Sequence, residues 1–329
     1  MKEKNNKKKN GIVKKIFLVI AALLLVWFTT DLIVTEIYAS KIPHHFASAK
    51  EGKELMLSNT EYYANVTQVD IDNRMGRSGA TLDELLEAST AEVKSFNIFE
   101  KYIMDHTIAS MARTLKHNGY ELPHIEKIEF IKTDMTVEGA AVSGYTHGTQ
   151  IYLNSTNIMF SVIPEAKPFF EQLLWHELFH VLTRNNPEFR SEMYSLINFT
   201  VTGTEYEFPP CLDGLYRSNP DVERHDSYAT FNIDGKDIDC FVVWFYLQQP
   251  DGSYTDDTAV LVPIDGTDTY YLPEQASNFN EVFGTNTDYV LDPEECMADN
   301  FMYAMYYGLE GVEYPNPEII QGIIKAVSK

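Results

Sequence analysis

Cysteine is scarce in this chain: three residues in 329, at Cys211, Cys240 and Cys296, with no CxxC pair and an odd total. That excludes a disulfide scaffold as the source of the fold. Cys211 and Cys240 could pair outside the cell or remain two buried free thiols, and the sequence leaves both open. Positive charge is scarce too once the start is set aside. Residues 1–15 hold seven Lys against one Glu, so with the formal total at −22 everything after them carries −28. A surface this acidic repels nucleic acid, and beyond that it accounts for solubility rather than naming a substrate. There is no internal repeat and no low-complexity tract. At 44% hydrophobic content the chain can form one large or two modest domains with a buried core.

What is present at the start is a basic flank, MKEKNNKKKNGIVKK, followed by the apolar run IFLVIAALLLVWFTT. Such a flank orients the segment with its N-terminus in the cytoplasm. Ile16 to Phe28 alone falls short of the roughly 20 residues a spanning helix needs, and extension to Val34 puts Asp31 near the interface. The sequence therefore predicts a cytoplasmic tail over 1–15, a single-pass signal anchor in the cell membrane over 16–34, and an extracytoplasmic remainder. A cleaved signal peptide, giving a secreted protein, is the alternative. Its small-residue site is poor, because Ile37 stands two residues before Ala39. No Cys follows the run to accept a lipid.

Residues 35–80 mix Lys, Glu, Asn and Gly without period and read as a juxtamembrane stalk. The domain proper is expected over 81–329. It opens on a TxxE capping box, Thr81 and Glu84, and apolar residues follow at helical spacing from Leu85 through Phe99 to Leu115, with a stop at Asn118-Gly119. Runs beginning at Ile125 and Gly148 read as neighbouring strands separated by the small-residue stretch GAAVSG. Pro164 and Pro168 precede FFEQLLWHELFHVLTR, a helix too apolar to lie on a surface. A second helical segment runs from Glu188 to about Phe199. Residues 200–287 read as a β-rich insertion with strands at DIDCFVVWFYL, TAVLVPI and TYYL. A helix then opens after Pro293, and a short one covers about Ile319 to Val327.

The chemistry sits in His176-Glu177-Leu178-Phe179-His180, an HExxH motif. Residues four apart on an α-helix share a face, so both imidazoles can reach one Zn²⁺, with Glu177 beside the open coordination position as general base. Two imidazoles and a carboxylate inside an apolar helix are expensive to bury unless a metal or partner satisfies them. A catalytic zinc takes three protein groups and one water, so a third ligand must come from elsewhere. Glu188 and Glu192 are nearest in sequence. Glu294 and Glu295 open a later helix, where acids also occur simply because the helix N-terminus favours them.

In HExxH followed by Glu295-Cys296-Met297-Ala298-Asp299, an ExxxD pattern, the chain resembles the gluzincin group of zinc peptidases. The metzincin extension is absent, since Thr183 and Asn186 stand where it needs Gly and His or Asp. RNNPEFR and NTDYVLDPEECMADNF also look like an uncharacterised family of bacterial secreted or membrane-anchored HExxH proteins. The gluzincin resemblance implies an α+β, zincin-like domain with a mixed sheet and a buried HExxH helix. It implies His176, His180 and Glu295 as ligands of one catalytic Zn²⁺, and Asp299 as the partner that holds a ligating histidine. Glu295 is preferred to Glu294 because it alone has an acid at i+4. The stretch from His180 to Glu295 is far longer than in thermolysin, so the β-rich segment must be inserted between the two helices.

The expected activity is hydrolysis of peptide bonds in a peptide or protein substrate outside the cytoplasm. A donor for the tetrahedral oxyanion is sought among Tyr145, His147, Tyr289, Tyr303 and, first, His225. GYTHGTQIYLN could supply an edge strand for an extended substrate. The alternatives are an inactive zinc-binding surface protein and a zinc hydrolase acting on another amide, such as a cell-wall peptide.

Overall fold

The basic flank and the apolar run form one continuous helix, α1 (Lys2–Ala39). Among the described residues it is the helix long and apolar enough to cross a membrane. This computed structural model describes residues 2–139, 142–250 and 252–328. Met1 of the basic tail and Ala140 and Ala141 of the small-residue stretch lie outside the described residues. The large apolar side chains from Ile16 to Phe28 are exposed, whereas Thr35 and Ala39 are buried against the rest of the chain. Asp31, the interruption in the run, is answered by protein. Its Oδ2 accepts from Tyr102 OH and from His106 Nε2, each at 3.0 Å.

The expected stalk is folded into the body instead. It supplies β1 (His44–Phe46), α2 (Ala49–Ser58), α3 (Thr60–Ala64) and α4 (Gln68–Met75), ahead of α5 (Leu82–Ala91) and α6 (Ile98–Asn118). Its mixed composition is that of short capped helices with one wet face. Ser48 and Glu51 close a capping box on α2, Thr67 caps α4, and Met56, Tyr63 and Ile71 are buried. Gly52 brings α2 onto its neighbours: a Cβ there would stand 2.8 Å from Val93 Cγ1 and 2.9 Å from Ile131 Cγ2. The Thr81/Glu84 box caps α5, and Gly119, at φ 70°, ends α6. Phe99 departs from the apolar series and is 58% exposed.

A mixed sheet follows, built from β1, β2 (Ile128–Thr133), β3 (Gly144–His147) and β4 (Gln150–Asn154) in the order β1-β2-β4-β3. β1 and β4 each run parallel to β2, and β3 returns antiparallel to β4, so β3 is an edge. After α7 (Ser155–Phe160) comes α8 (Lys167–Asn185), which carries HExxH and lies against β3 and β4, then α9 (Pro187–Ser195). Trp175 and Phe179 on α8 are completely buried, each contributing about 1.5–3 kcal/mol from apolar burial.

The insertion is a second, antiparallel sheet of β5 (Thr200–Val201), β6 (Ser227–Ile233), β7 (Lys236–Gln248) and β8 (Tyr254–Pro263) in chain order. β7 reads as one apolar run because both faces are covered. Cys240 and Val242 join the main core, while Phe241, Val243 and Phe245 form a separate cluster with Leu212. TYYL is not a strand; it contributes only a bridge from Tyr271 to Leu261. Cys211 is exposed on a surface turn and Cys240 is buried in β7, so they form neither a disulfide nor a pair of buried thiols. The chain closes with α10 (Phe279–Phe283), α11 (Pro293–Tyr306) and α12 (Pro317–Val327). α11 packs along α8, with Phe301 against Phe179 and Trp175.

Candidate metal centre

The i,i+4 spacing on α8 places the two imidazoles with centroids 4.9 Å apart. α11 meets them because Pro293 starts it and Asp292 caps it, accepting from the backbone N–H of Glu294 at 2.6 Å and of Glu295 at 3.2 Å. Consecutive glutamates then reach the two imidazoles differently. Glu295 Oε2 faces both Nε2 atoms, 3.1 Å from His176 and 3.6 Å from His180. Glu294 Oε1 lies 3.0 Å from the other nitrogen of His180, Nδ1, and Asp299 Oδ1 lies 3.0 Å from Nδ1 of His176. Each histidine therefore has a carboxylate at Nδ1 to accept that proton, so that Nε2 is the nitrogen turned to a metal once its own proton is lost.

The surrounding groups hold these carboxylates still. Glu295 Oε1 accepts from Asn219 Nδ2 at 2.6 Å and Tyr289 OH at 3.2 Å. Glu294 accepts from Thr183 Oγ1 at 2.5 Å and Tyr194 OH at 2.6 Å, and Asp299 Oδ2 accepts from Thr287 Oγ1 at 2.5 Å. Burial opposes charge on Glu295, yet the hydrogen bond from His176 and the charges of both imidazoles bring its carboxyl down to about 2. Burial likewise opposes charge on His176, but Asp299 and Glu295 hold its pKa well above the ordinary histidine value.

A metal fits this arrangement. One ligand atom from each of His176, His180 and Glu295 lies within 4.8 Å of the others, and a second group of this kind joins Glu177, His180 and Asp221. His180 Nε2 is completely buried and, among the described residues, has no hydrogen-bond partner. A polar atom left so would be costly unless a cation engages it.

Glu177 stands beside this set. Its Oε2 accepts from Thr146 Oγ1 on β3 at 2.7 Å. Burial raises its pKa against the lowering pull of His180, His176 and Thr146. Gly144 makes room for it, since a Cβ there would lie 2.7 Å from Glu177 Oε1. A cleft of about 830 Å³ opens here, lined by His176, Glu177, Gly144, Asn219, Asp221 and Tyr289 among others. Asp221 is the unforeseen member. Its Oδ1 lies 3.9 Å from His180 Nε2 and 2.6 Å from the backbone N of Thr146. Burial and the nearby carboxylates of Glu177 and Glu295 push its pKa well above the carboxylate range.

The other sequence candidates fall elsewhere. His225 is not a cleft residue. It is half-buried between the rings of Phe208 and Tyr216, at 5.2 and 5.5 Å, where loss of solvation takes its pKa down to about 4. Glu188 and Glu192 are exposed on α9. Tyr303 packs on the core beside Tyr314, and His147 is buried against Tyr62. Tyr145 lines the cleft but is buried and stacked on Tyr152, which leaves Tyr289 as the candidate hydroxyl next to Glu295. Sequence reasoning missed Asn219 and Asp221, which carry no motif; Glu294, the rival of Glu295 as third ligand, faces Nδ1 of His180. The chain matches no protein-family model, no curated protein and no solved structure, so its own geometry alone bears on the role of these residues.

Proposed function

We propose that this chain is a membrane-tethered zinc peptidase with a zincin-like, gluzincin-type site that hydrolyses peptide bonds outside the cytoplasm. One observation carries the reading. Both HExxH imidazoles turn Nε2 toward Glu295 while Glu294 and Asp299 take their Nδ1 protons, and Glu177 stands at the same point on the wall of an open cleft. Two imidazole nitrogens and one carboxylate oxygen form a donor set suited to zinc, with His176, His180 and Glu295 as its holders. Zinc would supply there a Lewis acid that polarises the substrate carbonyl and acidifies water.

The protein's own groups do the rest. Glu177 takes a proton from the attacking water and returns it to the leaving amine, and its raised pKa suits both steps. Thr146 fixes the orientation of its carboxylate. Tyr289, which lines the cleft and donates to Glu295, would serve a developing oxyanion by turning its O–H away from Glu295, the role sought for His225. A purified full-length chain should hold about one zinc, and Glu177→Gln should keep that zinc while losing peptide hydrolysis. Undiminished hydrolysis by the variant would remove Glu177 as base. One observation favours a second reading, a closed metal site without catalysis: Asp221 lies close enough to His180 to act as a fourth protein ligand. A zinc-loaded wild-type chain inert toward all peptides would select it.

The anchor is supported by packing. α1 and α6 run parallel, pairing Phe28 with Tyr102, Asp31 with His106 and Tyr38 with Arg113. Cleavage near Ala39 would strip a docked segment from the fold. The free apolar stretch, Ile16 to Phe28, is about 20 Å long against the roughly 30 Å of a hydrocarbon core. The exposed start of α6, with Ile98 at 88% and Phe99 at 58%, points the same way as that stretch and would enter the interface with it. The mature chain recovered from cells should retain α1, and a mature N-terminus after Ala39 would refute the anchor.

A further inference from the structure

β3 is the free edge of the mixed sheet and forms the wall above Glu177. Asn154 N donates to Ser143 O at 3.0 Å, so the antiparallel alternation turns Tyr145 and His147 toward β4 and Gly144 and Thr146 outward. An extended peptide adding to this edge would use those outward groups. Part of the edge is already taken by the insertion. Asp221 Oδ1 accepts the Thr146 N–H at 2.6 Å, and Glu223 Oε1 accepts the Gly148 N–H at 2.8 Å at the hairpin turn.

Residues 219–223 are tied down at both ends. Asn219 donates to Glu295 at 2.6 Å and accepts from the Asp221 N–H at 2.9 Å. Arg184, from the end of the HExxH helix, donates to Pro220 O at 2.7 Å and pairs with Glu223 at 3.2 Å. The segment therefore runs beside β3 and ends its usable edge at Thr146, level with Glu177. A bound chain can continue past Gly144 into the cleft, but not past Asp221.

Charge decides which chain end fits at that stop. The group that meets a chain end at that stop is the Asp221 carboxylate; of the cations about the cleft, Arg184 is engaged by Glu223 and Pro220, Arg74 by Asp70 and Glu138, and Arg217 lies over the Trp244 ring. An ammonium group complements a carboxylate at that point through a charge-assisted hydrogen bond, whereas a C-terminal carboxylate would oppose it. We propose that Asn219–Glu223 is a built-in stop on the substrate edge, and that Asp221 receives the free α-amino group of a peptide cleaved close to its N-terminus. The inference rests on the peptidase reading, and it narrows the substrate class to peptides with an unblocked amino end.

The test uses the full-length zinc-loaded protein in detergent and three peptides of one sequence: free at the amino end, N-acetylated, and free at the amino end but C-terminally amidated. Products are followed by mass spectrometry. Release of N-terminal residues from both free-amine peptides, with kcat/KM about 100-fold or more lower after acetylation, is expected. Internal cleavage of the acetylated peptide at a comparable rate would overturn the stop while leaving the peptidase reading intact. No cleavage of any peptide with zinc bound would overturn the peptidase reading and this proposal together. Glu223→Ala and Asp221→Ala should admit the acetylated peptide. Independently of turnover, hydrogen exchange at the Thr146 and Gly148 amides should be slow in the wild type and accelerate in the variants. Fast exchange in the wild type would show that the segment does not occupy the edge.

Discussion

Glu294 and Glu295 are adjacent in sequence, both buried and both bonded to a histidine, so exchanging each for glutamine tests the assignment of roles directly. Glu295→Gln replaces an anionic oxygen that faces Nε2 of both His176 and His180. Structural zinc sites bind with about 10–16 kcal/mol, which over four ligands is roughly 3 kcal/mol each, so zinc affinity should fall by about 100- to 1,000-fold. Glu294→Gln touches no Nε2. It leaves the three donors of His180, Thr183 and Tyr194 with one carbonyl oxygen and an amide that cannot accept. Loss of such an outer partner costs about 10- to 100-fold in metal affinity. The assay is competition with a chromophoric chelator at fixed pH, with circular dichroism melts to separate folding from binding. A larger loss in Glu294→Gln than in Glu295→Gln, in folded proteins, would transfer the metal to Glu294 and refute the geometry argued above.

Gly144→Ala should lower kcat by about tenfold or more with little change in zinc content, because its Cβ displaces Glu177 Oε1 from 2.7 Å while none of the proposed zinc holders is touched; unaltered kcat would show that Glu177 has room to spare. Zinc uptake should release a proton and tighten as pH rises, because Asp299 and Glu295 keep the His176 ring protonated and the metal needs it neutral. Calorimetry in buffers of different ionisation enthalpy measures that release, and uptake independent of buffer would contradict it. His225→Phe should leave kcat/KM within about twofold, since the ring packs between Phe208 and Tyr216 away from the cleft. A large loss would return it to the candidates for oxyanion donor.

The parts of the site legible in the sequence are those set by local geometry. The i,i+4 spacing of His176 and His180 places both on one face of α8 whatever surrounds it, and Pro293 opens α11 as its ring requires. The stalk was misread because its period is short: three helices of five to ten residues leave too few turns for an apolar stripe to emerge from Lys, Glu and Asn. Its signals were the caps, Ser48 with Glu51 and Thr67 before Gln68. Phe99 shares the helical spacing of the apolar series, but it lies in the first turn of α6, on the end beside the exposed apolar stretch of α1.

Asn219 and Asp221 were illegible for a different reason. They sit on a loop of the insertion, and nothing in local spacing relates Asp221 to a histidine 41 residues earlier or Asn219 to a glutamate 76 residues later. Their placement depends on how the second sheet docks, which β7 settles by burying both of its faces, one against the main core and one in its own cluster. The length that separates His180 from Glu295 is thus more than tolerated between the two helices. It returns a carboxylate to within 3.9 Å of His180 and an amide to 2.6 Å from Glu295. An insertion that only lengthened a surface loop would leave the cleft unchanged on removal, whereas loss of this one would free the Thr146 edge and unfasten Glu295 together.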